Sequence, residues 1–234
     1  MRDEGRIADL GLILAAGGSG RRYGGRNKLL EELDHVPVFI HALRRLAPLG
    51  AVTVLVVPAA DLPLFAAAAA QYCPDLPVSC VPGGSTRSHS VFQGLTVLPP
   101  EVKYVAVHDA ARPLASPDLL RRCVAGARQY GGALAAHPVT DTLKKAAADA
   151  TVAGTVDRDG LWAVETPQVF SRSELQQAYE TALAAGHDFT DDAGVMEAAG
   201  KRVVLIHNSE PNVKITFPAD RQLAAALLRS RQPR

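Results

Sequence analysis

Continuous hydrophobic runs recur along the chain at LGLIL, VTVLVV and YVAV, without the regular polar alternation of a half-exposed strand. A strand with one wet face alternates, whereas a strand covered on both faces does not, so these runs predict buried strands. With the shorter runs they place strands at Leu10–Ala16, Ala51–Val57, Val78–Val81, Tyr104–His108, Ala133–His137 and Val203–His207. Helical spacing between them predicts helices at Val36–Leu49, Asp61–Tyr72, Thr86–Leu98, Pro117–Gln129, Arg172–Ala185, Asp191–Ala199 and Pro218–Leu228. Strand and helix in alternation imply right-handed βαβ units, hence an α/β fold built on a mostly parallel sheet with helices on both faces. The 234 residues are expected to form one domain. Residues 139–167 break the alternation, and TVAGTVDRDGLW reads as hairpin strands around a polar turn. This interval is expected to project as a β-arm, and an arm supported on one side only suits packing on a second copy, so a homodimer is expected.

Ligands of parallel sheets sit beyond the carboxyl ends of the strands. Four polar clusters follow strands here: LAAGGSGRRYGGRNK, GGSTRSHS, HDAARP and HPVTDT. All four should therefore lie on one rim. The first is not a P-loop, because Gly20 and Gly25 have the right gap but Arg26 replaces the lysine. Nor is it the dinucleotide fingerprint, since Tyr23 replaces the third glycine after Gly18 and Gly20. Its glycines, Gly17, Gly18 and Gly20, still offer backbone N–H groups to an anion, and Arg21, Arg22, Arg26 and Lys28 add charge-assisted donors suited to a polyphosphate. A glycine turn with a solvated basic stretch is the alternative. GGSTRSHS repeats the style with Gly83, Gly84, Ser85, Arg87, Ser88 and Ser90, and it also reads as the cap of the helix that follows.

HDAARP is the most unusual stretch. Asp109 directly follows the buried run VAV, where a lone carboxylate is costly. With Arg112 three residues on, it suits a sugar hydroxyl, a metal or a phosphate; alternatively the two side chains simply pair with each other. His108 is read as structural. Thr142, Arg158, Thr166, Thr190, Asp191 and Lys214 are ordinary surface residues when taken singly.

Bulk properties narrow the partners. With 25 basic and 24 acidic residues the net charge is +1, so no global field favours nucleic acid or an anionic membrane. Three scattered cysteines without C-x-x-C suggest neither zinc nor a redox pair and fit a reducing cytoplasm. The polar start MRDEGRIADL predicts no secretory signal, and no apolar run approaches the length of a membrane span. The histidines show no metal-ligand spacing, and no G-x-S-x-G elbow or Cys/His signature supplies a nucleophile. Two clusters of fixed cations without a nucleophile favour direct phosphoryl or nucleotidyl transfer from a nucleotide polyphosphate to a small anionic acceptor.

Taken in order, AAGGSGRR with Lys28, GGSTRSHS, HDAARP, PVTDTLK, VDRDGLW, TPQ, FTDD and NVKIT resemble the markers of the 2-C-methyl-D-erythritol 4-phosphate cytidylyltransferases over almost the whole chain. The resemblance implies a Rossmann-like nucleotidyltransferase fold, a β-arm that builds a homodimer, and a reaction of CTP with methylerythritol phosphate in non-mevalonate isoprenoid synthesis. It also implies Mg2+, held mainly by the CTP phosphates rather than by side chains. By position, Arg21 and Lys28 correspond to the pair that stabilises the transition state, and Arg158 and Lys214 to the pair that positions the sugar phosphate, with Arg158 reaching a neighbouring subunit's site. Ala15, Ala16, Gly17, Gly18, Gly84, Ser85, Arg87, Ser90, Asp109 and Ala110 correspond to nucleotide-binding positions. Asp109, Arg112, Thr142, Thr166 and Thr190 correspond to the acceptor-binding ones. Three positions depart from the family pattern: Ser19 in place of a glycine, Asn27 where proline usually precedes the lysine, and Ser85 where an acidic residue can face the cytosine amino group. Ribitol 5-phosphate is the competing acceptor, and a nucleotide-binding module without turnover is the competing class.

Overall fold

The computed structural model describes residues 5–17 and 27–231. A seven-stranded sheet forms its centre, and its strands are β1 (Ile7–Ala15), β4 (Gly50–Val57), β5 (Val78–Pro82), β6 (Tyr104–Asp109), β7 (Gly132–Pro138), β10 (Trp162–Ser171) and β11 (Val204–His207). Their order across the sheet is β11-β7-β10-β6-β1-β4-β5. Six of the seven are the strands expected from the apolar runs, with ends displaced by a residue or a few. All six run parallel, either directly paired or through β10, which is antiparallel to both β6 and β7.

The period-two geometry of a strand explains how one apolar run serves two cores. Leu12 and Leu14 of β1 face a cluster that includes Phe39, Leu43, Phe65 and Leu120, while Ile13 between them faces Val91, Leu95 and Tyr179. The first layer is built by α1 (Val38–Leu46), α2 (Leu62–Tyr72), α4 (Pro117–Tyr130) and α7 (Pro218–Ser230); the second by α3 (Arg87–Thr96), α5 (Arg172–Ala184) and α6 (Asp192–Ala198). Helix starts carry the side-chain caps their sequences suggest. Thr86 accepts from His89 N at 3.3 Å, Ser116 from Leu119 N at 3.2 Å and Asp191 from Gly194 N at 3.1 Å. The expected helix over 36–49 is shorter than predicted: two short strands, β2 (Glu32–Leu33) and β3 (Val36–Pro37), precede α1, and Pro48 sits in a 3-10 turn that ends it.

The strand of the main sheet not anticipated from the sequence is β10. Residues 139–167 divide into an exposed two-stranded ladder, β8 (Leu143–Ala146) with β9 (Val152–Val156), and the first part of β10, which pairs with β7 in the main sheet. The arm expected over this whole interval is therefore confined to its earlier part. Being antiparallel, β10 begins where β6 and β7 end, and so delivers Glu165 and Thr166 to the carboxyl rim of the sheet. Among the described residues no helix is long and apolar enough to cross a membrane.

Candidate active site

The polar clusters after β5, β6 and β7 follow strand ends at the carboxyl rim, as do residues 16–17 of the first cluster after β1. Ala15 ends β1 between β4 and β6, with Ala16 N bonded to Val56 O at 2.8 Å and Ala110 N to Ala15 O at 3.1 Å. Across from it, Ser90 folds the GGST turn onto α3: its Oγ donates to Thr86 O at 2.8 Å and accepts from Gly84 N at 3.1 Å. Side chains are excluded there, since a Cβ on Gly84 would lie 2.4 Å from His89 Cβ and one on Gly83 would lie 2.8 Å from Ser90 Oγ. Gly17 stands opposite the same hydroxyl, its notional Cβ 3.5 Å from Ser90 Oγ. Ser85 is exposed on this turn. Gly18 and Arg21 lie outside the described residues, as does Ser19.

Lys28 reaches a segment late in the chain, donating from Nζ to Ile215 O at 2.6 Å. Asn27, where the family usually has proline, supplies a tether instead: its Nδ2 donates to Asp61 Oδ2 at 2.7 Å and its Oδ1 accepts from Leu29 N at 3.2 Å.

Asp109 is the electrostatic hub. Lys214 Nζ lies 2.7 Å from Oδ2, Arg112 Nε 3.8 Å from the same oxygen, and Arg87 Nη2 3.9 Å from Oδ1. Burial opposes its charge, but the three cations overcome that, Lys214 most strongly, and hold the carboxyl below the usual carboxylate range. The sequence left open whether Asp109 merely pairs with Arg112. It pairs more closely with Lys214, a residue far along the chain, and so ties β6 to the segment after β11.

A neutral relay holds the strand ends behind this hub. His108 Nε2 donates to Arg112 O at 3.0 Å, which leaves Nδ1 to accept from the Thr166 hydroxyl at 3.0 Å; Thr166 Oγ1 in turn accepts from Asp109 N at 3.0 Å. Burial pushes His108 down to about 4, so the ring is uncharged at neutral pH and serves as the structural residue the sequence suggested. The segment after β11 is fixed by Asn212, whose Nδ2 donates to Thr166 O and to Glu165 Oε2, both at 2.9 Å. Arg112 Nη1 donates to Asn212 O at 2.7 Å, which orients the guanidinium toward Asp109.

The sequence did not single out Asp192, Gln168, Tyr179, Glu165 or Asn212. Asp192 is fully buried and takes the guanidinium of Arg87, Nη2 to Oδ2 at 2.6 Å. Tyr179 donates to its other oxygen at 2.5 Å, and Gln168 Oε1 accepts from Asp192 N and Ala193 N, each at 3.1 Å. Burial opposes the Arg87 charge, but Asp192 and then Asp109 hold it above its usual value. FTDD showed two adjacent acids, and only the tertiary contact separates their jobs: Asp191 caps α6 while Asp192 meets the arginine.

Arg87, Asp109, Arg112, Thr166, Thr190 and Lys214 line one cavity of about 320 Å³. Arg112, Glu165 and Lys214 also line a wider neighbouring cavity of about 750 Å³ that extends to Thr140, His137 and His207. Arg87 and Arg112 both line the small cavity, and their buried Nη1 and Nε atoms, respectively, have no hydrogen-bond partner among the described residues. Thr142 and Arg158 lie outside the lining of both cavities, although Arg158 Nη1 donates to Thr140 O at the edge of the larger. The polar lining suits an anion bearing hydroxyls, with cations for phosphate and the carboxylates of Asp109, Glu165 and Asp191 for hydroxyls. Among the described residues no three His, Cys, Asp or Glu side chains gather as a metal cluster.

The model of the family described as 2-C-methyl-D-erythritol 4-phosphate cytidylyltransferase matches residues 10–230. This chain belongs to that family. A cytidylyltransferase of that name from Synechococcus sp. (strain ATCC 27144 / PCC 6301 / SAUG 1402/1) is 40% identical over 224 residues, covering 94% of this chain and 97% of the relative. Among solved structures, the 4-diphosphocytidyl-2C-methyl-D-erythritol synthase of Anaerococcus prevotii superposes with a TM-score of 0.81 at 28% identity, covering 94% of this chain and 98% of its own. The cytidylyltransferase of Thermus thermophilus gives 0.78 at 29% identity, over 95% and 100% of the two chains. The Rossmann-like nucleotidyltransferase fold expected from the motifs is thus the fold of the family and of this chain.

Proposed function

We infer that the protein transfers the cytidylyl group of CTP to 2-C-methyl-D-erythritol 4-phosphate, giving 4-diphosphocytidyl-2-C-methyl-D-erythritol and pyrophosphate in isoprenoid precursor synthesis. Beside family membership, the observation that carries this reading is the three-cation ring around Asp109 at the carboxyl rim, with Lys28 anchored one residue from Lys214. A phosphate oxygen of the acceptor attacks the α-phosphorus; the new P–O bond forms as the bond to the β-phosphate bridging oxygen breaks, and pyrophosphate leaves with that electron pair. The acceptor phosphate is already ionised at neutral pH, so no general base is required. The protein must instead bring two anions together, and fixed cations reduce their repulsion most where charge accumulates, in the transition state.

In this reading the backbone at Ala15, Ala16, Gly17, Gly18, Gly84 and Ala110, with Ser85, Arg87 and Ser90, holds the nucleotide. Arg21 and Lys28 stabilise the α-phosphate during transfer. Lys214 and Arg112 bind the acceptor phosphate, while Asp109, Thr142, Thr166 and Thr190 contact hydroxyls. Mg2+ is the expected cation. Asp109 is already matched by three cations, so the ion would be held mainly by the CTP phosphates. Pyrophosphate release that depends on both substrates tests the reading.

The β8–β9 arm is proposed to build a homodimer. It carries Val152 at 68% and Val156 at 39% exposure, apolar surface that a second copy would cover. Arg158 would then serve the partner's site. Mixing Arg158→Ala subunits with Lys28→Ala subunits should recover activity, because each mixed dimer keeps one site with both residues intact. No recovery at any mixing ratio would remove the cross-subunit role. The cytoplasm is the proposed compartment; Cys73, Cys80 and Cys123 are all free thiols, as a reducing environment keeps them.

A further inference from the structure

We propose that Asp192 is a positioning residue for nucleotide binding, acting through Arg87; this rests on the reading that Arg87 contacts CTP. Arg87 is the first residue of α3, directly after the GGST turn, and an arginine there has many rotamers that point to solvent. One is selected by Asp192, fully buried at the start of α6, which takes Nη2 at 2.6 Å. Both the carboxylate and its backbone are held in place. Tyr179 Oη donates to Oδ1 at 2.5 Å, and the Asp192 and Ala193 N–H groups are pinned by Gln168 Oε1 at 3.1 Å each. Gln168 belongs to β10, and its Nε2 donates to Asp191 Oδ2 at 3.2 Å, so one amide fixes both acids. With Nη2 committed to Asp192, the guanidinium keeps Nη1 buried and without a hydrogen-bond partner among the described residues, on a side chain that lines the small cavity.

This arrangement differs from a pair that serves stability alone. Burying an ion pair is rarely favourable compared with apolar packing, and a buried donor left without a partner adds to that cost. Both features suit a cation pre-aimed at an anionic or hydroxyl-bearing ligand, whose binding then no longer requires freezing the arginine. Asp192 would thus set CTP affinity without touching CTP.

The test is CTP affinity by calorimetry on the whole enzyme, alongside steady-state kinetics. Asp192→Asn should weaken CTP binding by about tenfold, the equivalent of one poorly held charge-assisted bond, and raise KM for CTP with little change in kcat. Tyr179→Phe, which leaves the ion pair in place, should weaken it about threefold and serves as the deciding variant if Asp192→Asn does not fold. In an Arg87→Ala background neither change should cost further CTP affinity, because Asp192 acts only through that arginine. The proposal is overturned if folded variants lose thermal stability or active fraction while CTP affinity stays at the wild-type value, or if their losses add fully to that of Arg87→Ala. A wild-type protein that binds CTP but releases no pyrophosphate with the acceptor would instead count against the function, and the binding comparison would still decide the role of Asp192.

Discussion

Lys28→Ala is expected to lower kcat on the order of 10³-fold while weakening CTP binding far less. Removing one preorganised donor aimed at developing charge characteristically costs this much in turnover. The reason to expect the split is geometric. Lys28 Nζ rests on Ile215 O at 2.6 Å, so the lysine is already held beside Lys214 before any phosphate arrives. Its charge is then most useful where the α-phosphate is pentacoordinate and its oxygens carry extra negative charge. Parallel kcat and CTP affinity measurements decide the matter: equal losses in both would make Lys28 a ground-state ligand.

Lys214→Ala is expected to lower kcat/KM for the acceptor by about 100-fold, in the range of one lost charge-assisted contact. Two effects combine. The acceptor phosphate loses a cation, and Asp109 loses its nearest partner, at 2.7 Å, keeping only Arg112 at 3.8 Å and Arg87 at 3.9 Å. Asp109 then faces an incoming phosphate with its charge less fully compensated. KM for CTP should change much less, and Lys214→Arg should restore part of the loss because it keeps the charge. Similar losses for both substrates would show that Lys214 holds the rim together rather than the acceptor.

The sheet was legible wherever a strand is covered on both faces, because LGLIL, VTVLVV and YVAV leave no other period to assign. β10 escaped for the opposite reason. It carries Glu165, Thr166, Pro167 and Gln168 through the sheet, residues that read as loop, and the polar groups among them are satisfied by distant partners such as Asn212, His108 and Asp192. Part of the candidate site was legible in its motifs: HDAARP and NVK meet in the Asp109–Lys214 pair. Its supporting layer was not, because nothing local to Asp192 or Gln168 distinguishes them from a cap and a surface amide.

The central claim is the acceptor. Pyrophosphate release should be followed with CTP and Mg2+ alone, with methylerythritol phosphate added, and with ribitol 5-phosphate added in its place. The account predicts no release from CTP alone, since the acceptor phosphate is the attacking group, and a much higher kcat/KM with methylerythritol phosphate than with ribitol 5-phosphate. Release that ignores methylerythritol phosphate, or that prefers ribitol 5-phosphate, would contradict it.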